Sequence, residues 1–182
     1  EGTGSLKIEM GKASSTVNTG VVALWHFEET GTSTGTYLYD ETANNNDATT
    51  TGTTVTDGIF GKGRRFNGTS DYVSAADSED WNFGSGAFTI DFWVKTSYTG
   101  GSTQVLAAHG NEAAWANTGW QINNINAGGV AECKYSNNGG VGLELGGITN
   151  IRDGYWHHVA CIRDGNTFKL YIDGEQETTT TQ

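Results

Sequence analysis

The sequence predicts an all-β protein in which two antiparallel sheets pack face to face. The composition is the first reason: 182 residues include 27 Gly, abundant Thr and Asn and a single Met, as expected of short strands joined by tight turns. The second is that no window carries an apolar stripe of period 3.6 over three turns. The third is that segments alternating apolar and polar residues recur between Gly- and Asn-bearing turn signals. A chain this long buries roughly 70% of its unfolded surface, enough for one domain with its own core. Hydrophobic residues are only 35% of the chain, so the 6 Trp, 7 Tyr and 7 Phe are expected to fill the space between the sheets.

The elements follow in order. Residues 6–10 form a short apolar-polar stretch, a candidate extra strand. Residues 21–27 open with the longest apolar run, Val21–Trp25, and read as a strand. Residues 28–58 carry little periodicity and read as a long surface loop. Short β-prone stretches follow at 63–66 and 72–74. The clearest strand is Phe88–Lys95, with Phe88, Ile90, Phe92 and Val94 on one face and Thr89, Asp91, Trp93 and Lys95 on the other. Strands are predicted at 104–108, 120–125, 131–136 and 143–145, with an irregular loop over 109–119. Residues 156–162 and 168–172 form an antiparallel hairpin, with Asp-Gly turn signals at Asp164-Gly165 and Asp173-Gly174. The Thr-rich end, 178–182, is expected to fray. The domain reading is an N-terminal segment at 1–20, a sandwich over 21–177 and the tail.

Charge narrows the partners. Acidic residues number 21 against 10 basic ones, a net charge of −11, and a surface of that sign repels nucleic acid and anionic membranes. The longest apolar run falls far short of the ~20 residues of a membrane-spanning helix. Cys133 and Cys161 either pair or remain buried thiols. Asn67-Gly68-Thr69 fits a glycosylation pattern and reads as an Asx-Gly turn.

His157 and His158 are adjacent on a predicted strand. Successive strand side chains point to opposite faces, so the two imidazoles do not chelate one ion. His158 aligns with Trp156, Ala160 and Ile162, a mostly apolar set, and is expected to be the buried, hydrogen-bonded histidine.

Several stretches together resemble the laminin G-like domains of the concanavalin A-like lectin/glucanase superfamily. They are VALWHFEE at 22–29, DETANNNDA at 40–48, GIFGKGRRFNGTSDYV at 58–73, FTIDFWVK at 88–95, and the hairpin segments WHHVA at 156–160 and LYIDG at 170–174. Ala43 stands where the family's loop usually has Gly. The resemblance implies a jelly-roll sandwich of two curved sheets. Family members usually continue with further strands after the Asp-Gly turn, whereas this sequence ends TTTTQ. The sheet is therefore expected to be completed by residues past 182, by the 5–10 segment, or by a neighbouring chain, whose strand would add to an open edge.

Some relatives in the superfamily hydrolyse glycans with a strand that aims carboxylates at one glycosidic bond, ~5.5 Å apart for retaining chemistry. Here Phe88–Lys95 carries Asp91 alone, and Glu79 and Asp80 are adjacent and would splay apart if extended. No catalytic residue is assigned. The expected function is a noncatalytic extracellular recognition and adhesion module, at a cell or virion surface, that binds glycan or a protein ligand through rim loops. Its ligand-binding candidates are Trp81, Tyr98, Asn111 and Trp115, because aromatic faces stack on sugars while Asn and Asp bond their hydroxyls. The resemblance also implies calcium at the rim, with Asp40 and Asp71 as leading ligands beside Glu28 and Asp77; calcium takes six to eight oxygens. The alternative is a structural subunit of an extracellular filament or virion tail fibre, a homo-oligomer joined by strand donation.

Overall fold

The computed structural model describes residues 20–31, 34–110, 119–124, 128–136 and 142–181. The candidate strand at 6–10 and the site candidates Asn111 and Trp115 lie outside the described residues. The chain divides into two compact units, Glu1–Ser78 and Glu79–Gln182.

In the first unit, β1 (Tyr37–Leu38), β2 (Ala48–Thr51) and β5 (Tyr72–Ala75) form an antiparallel sheet with β2 in the middle. A hairpin of β3 (Thr54–Asp57) and β4 (Lys62–Arg65) stands as a separate pair. The sheet has one buried face, with Leu38, Ala48 and Thr50 all at 1% exposure or less. Three strands therefore lie inside the stretch 28–58 that the sequence reading took for a loop. Threonine hides them: its branched Cβ suits a pleated strand, but ATTT shows no apolar alternation.

The opposite correction applies to residues 21–27, which form no strand. Their backbone is held by a loop instead. Leu24 N donates to Asp40 Oδ1 at 2.9 Å, Glu41 N donates to Leu24 O at 2.9 Å, and Trp25 Nε1 donates to Asn46 O at 3.0 Å. Asn67 is the Asx turn expected: its Oδ1 accepts from Thr69 N at 2.8 Å and Ser70 N at 2.9 Å.

The second unit is a two-sheet antiparallel sandwich. One sheet runs β10 (Leu143–Asn150), β9 (Val130–Ser136), β8 (Gly119–Asn124), β7 (Gln104–His109). The other runs β13 (Glu175–Thr181), β12 (Thr167–Ile172), β11 (Trp156–Asp164), β6 (Phe88–Lys95). Ile122, Cys133, Tyr135 and Leu145 from the first sheet meet Val159, Cys161, Phe168, Leu170 and Ile172 from the second in one core, with Phe88, Ile90, Phe92 and Val94 packed against it. The face predicted for β6 is thus the one that packs. Burying a leucine-sized side chain contributes about 2 kcal/mol, so this cluster supplies most of the unit's cohesion.

Tryptophan plays a smaller part than expected. No Trp is among the described buried core residues, and Trp93 is 42% exposed. Cys133 of β9 and Cys161 of β11 form a disulfide across the core, Cα to Cα 6.2 Å, which resolves the choice left open by the sequence. The Asp173-Gly174 turn has φ of 54° and 85°, the left-handed pair that a two-residue hairpin needs. The Thr-rich end is not frayed through 181: β13 pairs with β12 from Glu175 to Thr181.

The adjacent histidines do diverge, but their faces are the reverse of the reading. His157 is the buried one, on the face of Val159 and Cys161, while His158 packs its ring 5.2 Å from Trp93 on the outer face.

Candidate functional site

Trp81, a predicted binding aromatic, lines a concavity. It ends a single 3-10 turn, Glu79–Trp81, that closes when Asn82 N donates to Glu79 O at 3.0 Å. The Asn82 amide then donates to Glu79 Oε2 at 3.1 Å, so the Glu79 side chain also closes the turn. Phe83 follows and stacks on Phe88 at 4.6 Å and on Trp120 at 6.2 Å between ring centroids. These contacts tie the turn to the sandwich core.

The opposite wall comes from the β7–β8 pair, where His109 and Trp120 face each other in register with ring centroids 6.3 Å apart. Gly119 permits this approach, because a Cβ there would stand 2.7 Å from His109 O. Tyr135 of β9 forms the floor, its hydroxyl donating to Gly84 O. Trp81, Phe83, His109, Trp120 and Tyr135 together line a shallow cleft of about 10 Å³, room for roughly one water.

Arg163 braces it from behind. The residue is 5% exposed, and its guanidinium donates to Gly84 O at 2.6 Å and to Tyr135 Oη at 3.0 Å, with the Tyr135 and Phe168 rings 5.1 and 5.2 Å away. A buried cation held by carbonyl oxygens and ring faces fixes the 83–86 turn against the sheet. The Trp120 indole nitrogen is buried without an acceptor. His109, Trp120 and Arg163 were not singled out from the sequence: each lies inside a strand, where an aromatic or basic residue carries no positional signal.

Tyr98 lies elsewhere. Its ring is covered by the Arg152 guanidinium at 5.6 Å, and Arg152 Nε donates to Asn124 Oδ1 at 2.7 Å. Tyr98 is therefore not a wall of the Trp81 cleft.

Residues 67–182 match the Laminin_G_3 family, described as concanavalin A-like lectin/glucanases superfamily. The chain belongs to this family. The laminin G-like match covers all of the second unit and the end of the first. No curated protein matches the chain. Among solved structures it is similar to an S-layer domain-containing protein from Clostridium thermocellum, residues 221–444, at 23% identity and TM-score 0.55, covering 87% of this chain and 71% of that one. It is also similar to the binding domain of Paraclostridial Mosquitocidal Protein 1, at 20% identity and TM-score 0.65; the alignment covers 82% of this chain but only 39% of that one. At these identities the likeness is one of fold.

Laminin G-like membership raises the calcium question, and the proposed carboxylates answer it poorly. Asp40 Oδ1 accepts from Leu24 N and Thr42 N, each at 2.9 Å, and Oδ2 from Thr42 Oγ1 at 2.7 Å and Asn46 N at 2.8 Å. Burial pushes this carboxyl up, but those four donors outweigh it and its pKa lies below the usual value. A carboxylate whose lone pairs face N–H and O–H groups has none to offer a cation. Glu28 accepts from Lys62 N, Asp71 from Asn67 N, and Asp77 lies beyond the end of β5. Among the described residues no three His, Cys, Asp or Glu side chains gather to hold a metal. The donor set as placed does not fit calcium.

Proposed function

We propose that the chain is a noncatalytic, extracellular recognition module that binds glycan against the aromatic surface at the mouth of the cleft beside Trp81. The observation that carries this is the convergence of two indoles, a phenyl ring and an imidazole on one braced concavity. Ring faces there would stack on the C–H face of a sugar, while the Asn82 amide and the Glu79 carboxylate at its lip would meet the hydroxyls. Hydrolysis is not part of the proposal. The only carboxylate on β6, Asp91, faces His158 Nε2 at 3.2 Å, and no second carboxylate on that strand could complete a hydrolytic pair.

An oxidising compartment accords with the disulfide. Among the described residues no helix is long and apolar enough to cross a membrane. With a net charge of −11, neutral or basic glycans are favoured over acidic ones.

A broad glycan array followed by calorimetry tests the reading. Trp81→Ala should weaken binding by about tenfold, the loss of ~1.4 kcal/mol of ring contact, without moving the melting temperature. Absence of any glycan ligand, or a Trp81→Ala variant that binds as well as the parent, would sink it.

A further inference from the structure

The face of the β8–β9 pair turned away from the Ile122 and Cys133 core carries a group of side chains that the aromatic site does not use. Asn123 of β8 lies opposite Glu132 of β9, and Lys134, two residues on, shares the face of Glu132. Glu132 Oε2 touches both neighbours: Asn123 Nδ2 donates to it at 3.2 Å, and Lys134 Nζ lies 3.1 Å from it. All three are largely withdrawn from water. Asn123 is 3% exposed, and the side chains of Lys134 and Glu132 are 18% and 13% exposed. Lys134 Nζ also donates to Glu144 Oε1 of β10 at 3.0 Å, and the Asn123 amide oxygen, Oδ1, is buried with no hydrogen-bond partner.

An amide oxygen buried without a donor is costly. Glu132 would be that donor if it held a proton. Half a turn about the Cβ–Cγ bond of Asn123 brings Oδ1 to the place of Nδ2, onto Glu132 Oε2, where a carboxylic acid would bond and polarise the amide carbonyl. Lys134 is the source of the proton, since burial disfavours an ion pair relative to the neutral amine and acid. Burial pushes the Lys134 pKa down, but hydrogen bonds to Glu144 and Glu132, and their charges, outweigh it and raise it above the ordinary value. The neutral amine is therefore a minor form. A step taken once in the life of a molecule tolerates the slow rate that follows.

We infer that Lys134 and Asn123 join in an intramolecular isopeptide bond, with Glu132 as the proton carrier. The Lys134 amine attacks Asn123 Cγ; the Nζ–Cγ bond forms and the Cγ–Nδ2 bond breaks. Glu132 takes one proton from the Lys134 ammonium and passes it to Nδ2 as that bond breaks. The second proton lost from Nζ follows through the same carboxylate, and the leaving group departs as ammonium. Atoms and charge balance with no oxidant and no further reactant. Amine, amide and acid are held on neighbouring strands, so the orientation that such a reaction needs is supplied by the sheet. The bond staples β8 to β9 within one sheet, whereas the disulfide joins β9 to β11 of the other.

Intact mass spectrometry of the full chain tests the bond, after prolonged incubation at neutral pH and then reduction and denaturation. The parent should be lighter than its sequence by one ammonia. Succinimide formation at Asn67-Gly68 also releases ammonia, so the link is read from peptides. Cleavage after Glu132 should leave the peptide carrying Asn123 joined to the one carrying Lys134. Lys134→Arg, which keeps a cation between the two carboxylates, and Glu132→Gln, which keeps an acceptor oxygen, should both retain the ammonia. Glu144→Gln should still lose it, because Glu144 holds the ammonium without lying on the proton's path. A parent of full mass would show an ion pair only and overturn the inference. So would ammonia loss without joined peptides, or joined peptides in the Glu132→Gln variant, which would remove Glu132 as carrier.

Discussion

His157 shows how one side chain joins three segments of the second unit. Its Nδ1 lies 2.7 Å from Asp173 Oδ2 and its Nε2 3.1 Å from Asp153 Oδ1. Asp173 sits in the β12–β13 turn and also accepts from His158 N at 2.8 Å; Asp153 sits in the β10–β11 connection and accepts from Tyr155 N at 2.9 Å. Burial pushes the His157 pKa down, but hydrogen bonds to Asp173 and Asp153, and their charges, outweigh it and raise it above the ordinary value. The proton is thus bound more tightly in the folded chain than in the unfolded one. The stabilisation is complete below the unfolded value, about 6.5, and disappears as pH rises through the folded pKa. At the acid end, hydrogen bonds from Tyr155 N and His157 hold the Asp153 pKa down, so that contribution is lost as pH falls through its lowered value. Urea midpoints should therefore form a plateau between about pH 4 and 6.5 and decline above it. His157→Leu, which removes both hydrogen bonds, should lower the unfolding free energy on the plateau by about 2 kcal/mol and abolish the alkaline decline. A variant that keeps the decline would assign it to another group.

Among the elements, β13 is tied most clearly by side chains. Pairing between β10 and β9 shifts register between Gly146 and Asn150, which leaves backbone donors of β10 without ladder partners. Glu177 fills the gap: its Oε2 accepts from Ile148 N at 2.6 Å and Thr149 N at 2.8 Å, and its Oε1 from Thr149 Oγ1 at 2.8 Å. A strand of one sheet thereby clips the irregular stretch of the other. Glu177→Ala should cost about 1–3 kcal/mol, and Glu177→Gln less, because an amide keeps one acceptor oxygen. Urea unfolding should show the midpoint falling with an unchanged slope. An Ala variant of parental stability would show that water satisfies those donors equally well.

How legible an element was depended on what signals it. β6 alternates apolar and polar residues along its whole length, and Asp173-Gly174 is the turn chemistry a tight hairpin demands, so both could be read directly. β2 and β13 are strands of threonine, whose preference lies in a branched Cβ rather than in an apolar pattern, and they passed for loop and tail. The 21–27 run was misread for the converse reason: it is apolar, but the Asp40 loop takes its backbone hydrogen bonds. The histidine faces were inverted because Ala160 and Ile162 looked like the core set. The inner face is instead set by Cys161, whose disulfide partner no local pattern reveals. The cleft was half legible: Trp81 stood out between polar residues, whereas its opposite wall needed the β7–β8 register.

At the scale of the whole molecule, the Cys133–Cys161 bond is the only covalent link between the sheets of the second unit, since no free cysteine remains to form another. It joins residues 28 apart in sequence, and closing a loop of that length removes about 3.5 kcal/mol of chain entropy from the unfolded state. Stabilities of single domains are about 5–15 kcal/mol, so this is a large share. Both cysteines are buried, at 7% and 5% exposure, so the folded chain should resist dithiothreitol and take up no maleimide. Unfolding in denaturant with reductant should release two reactive thiols. The Cys133→Ala/Cys161→Ala double variant, compared with the oxidised parent, should melt more than about 10 °C lower, as expected for a unit near 100 residues. A parent that labels with two maleimides without reductant would remove the bond, and with it the support for an oxidising compartment. A double variant that melts with the parent would leave the bond in place but show that the sheets hold together through the core alone.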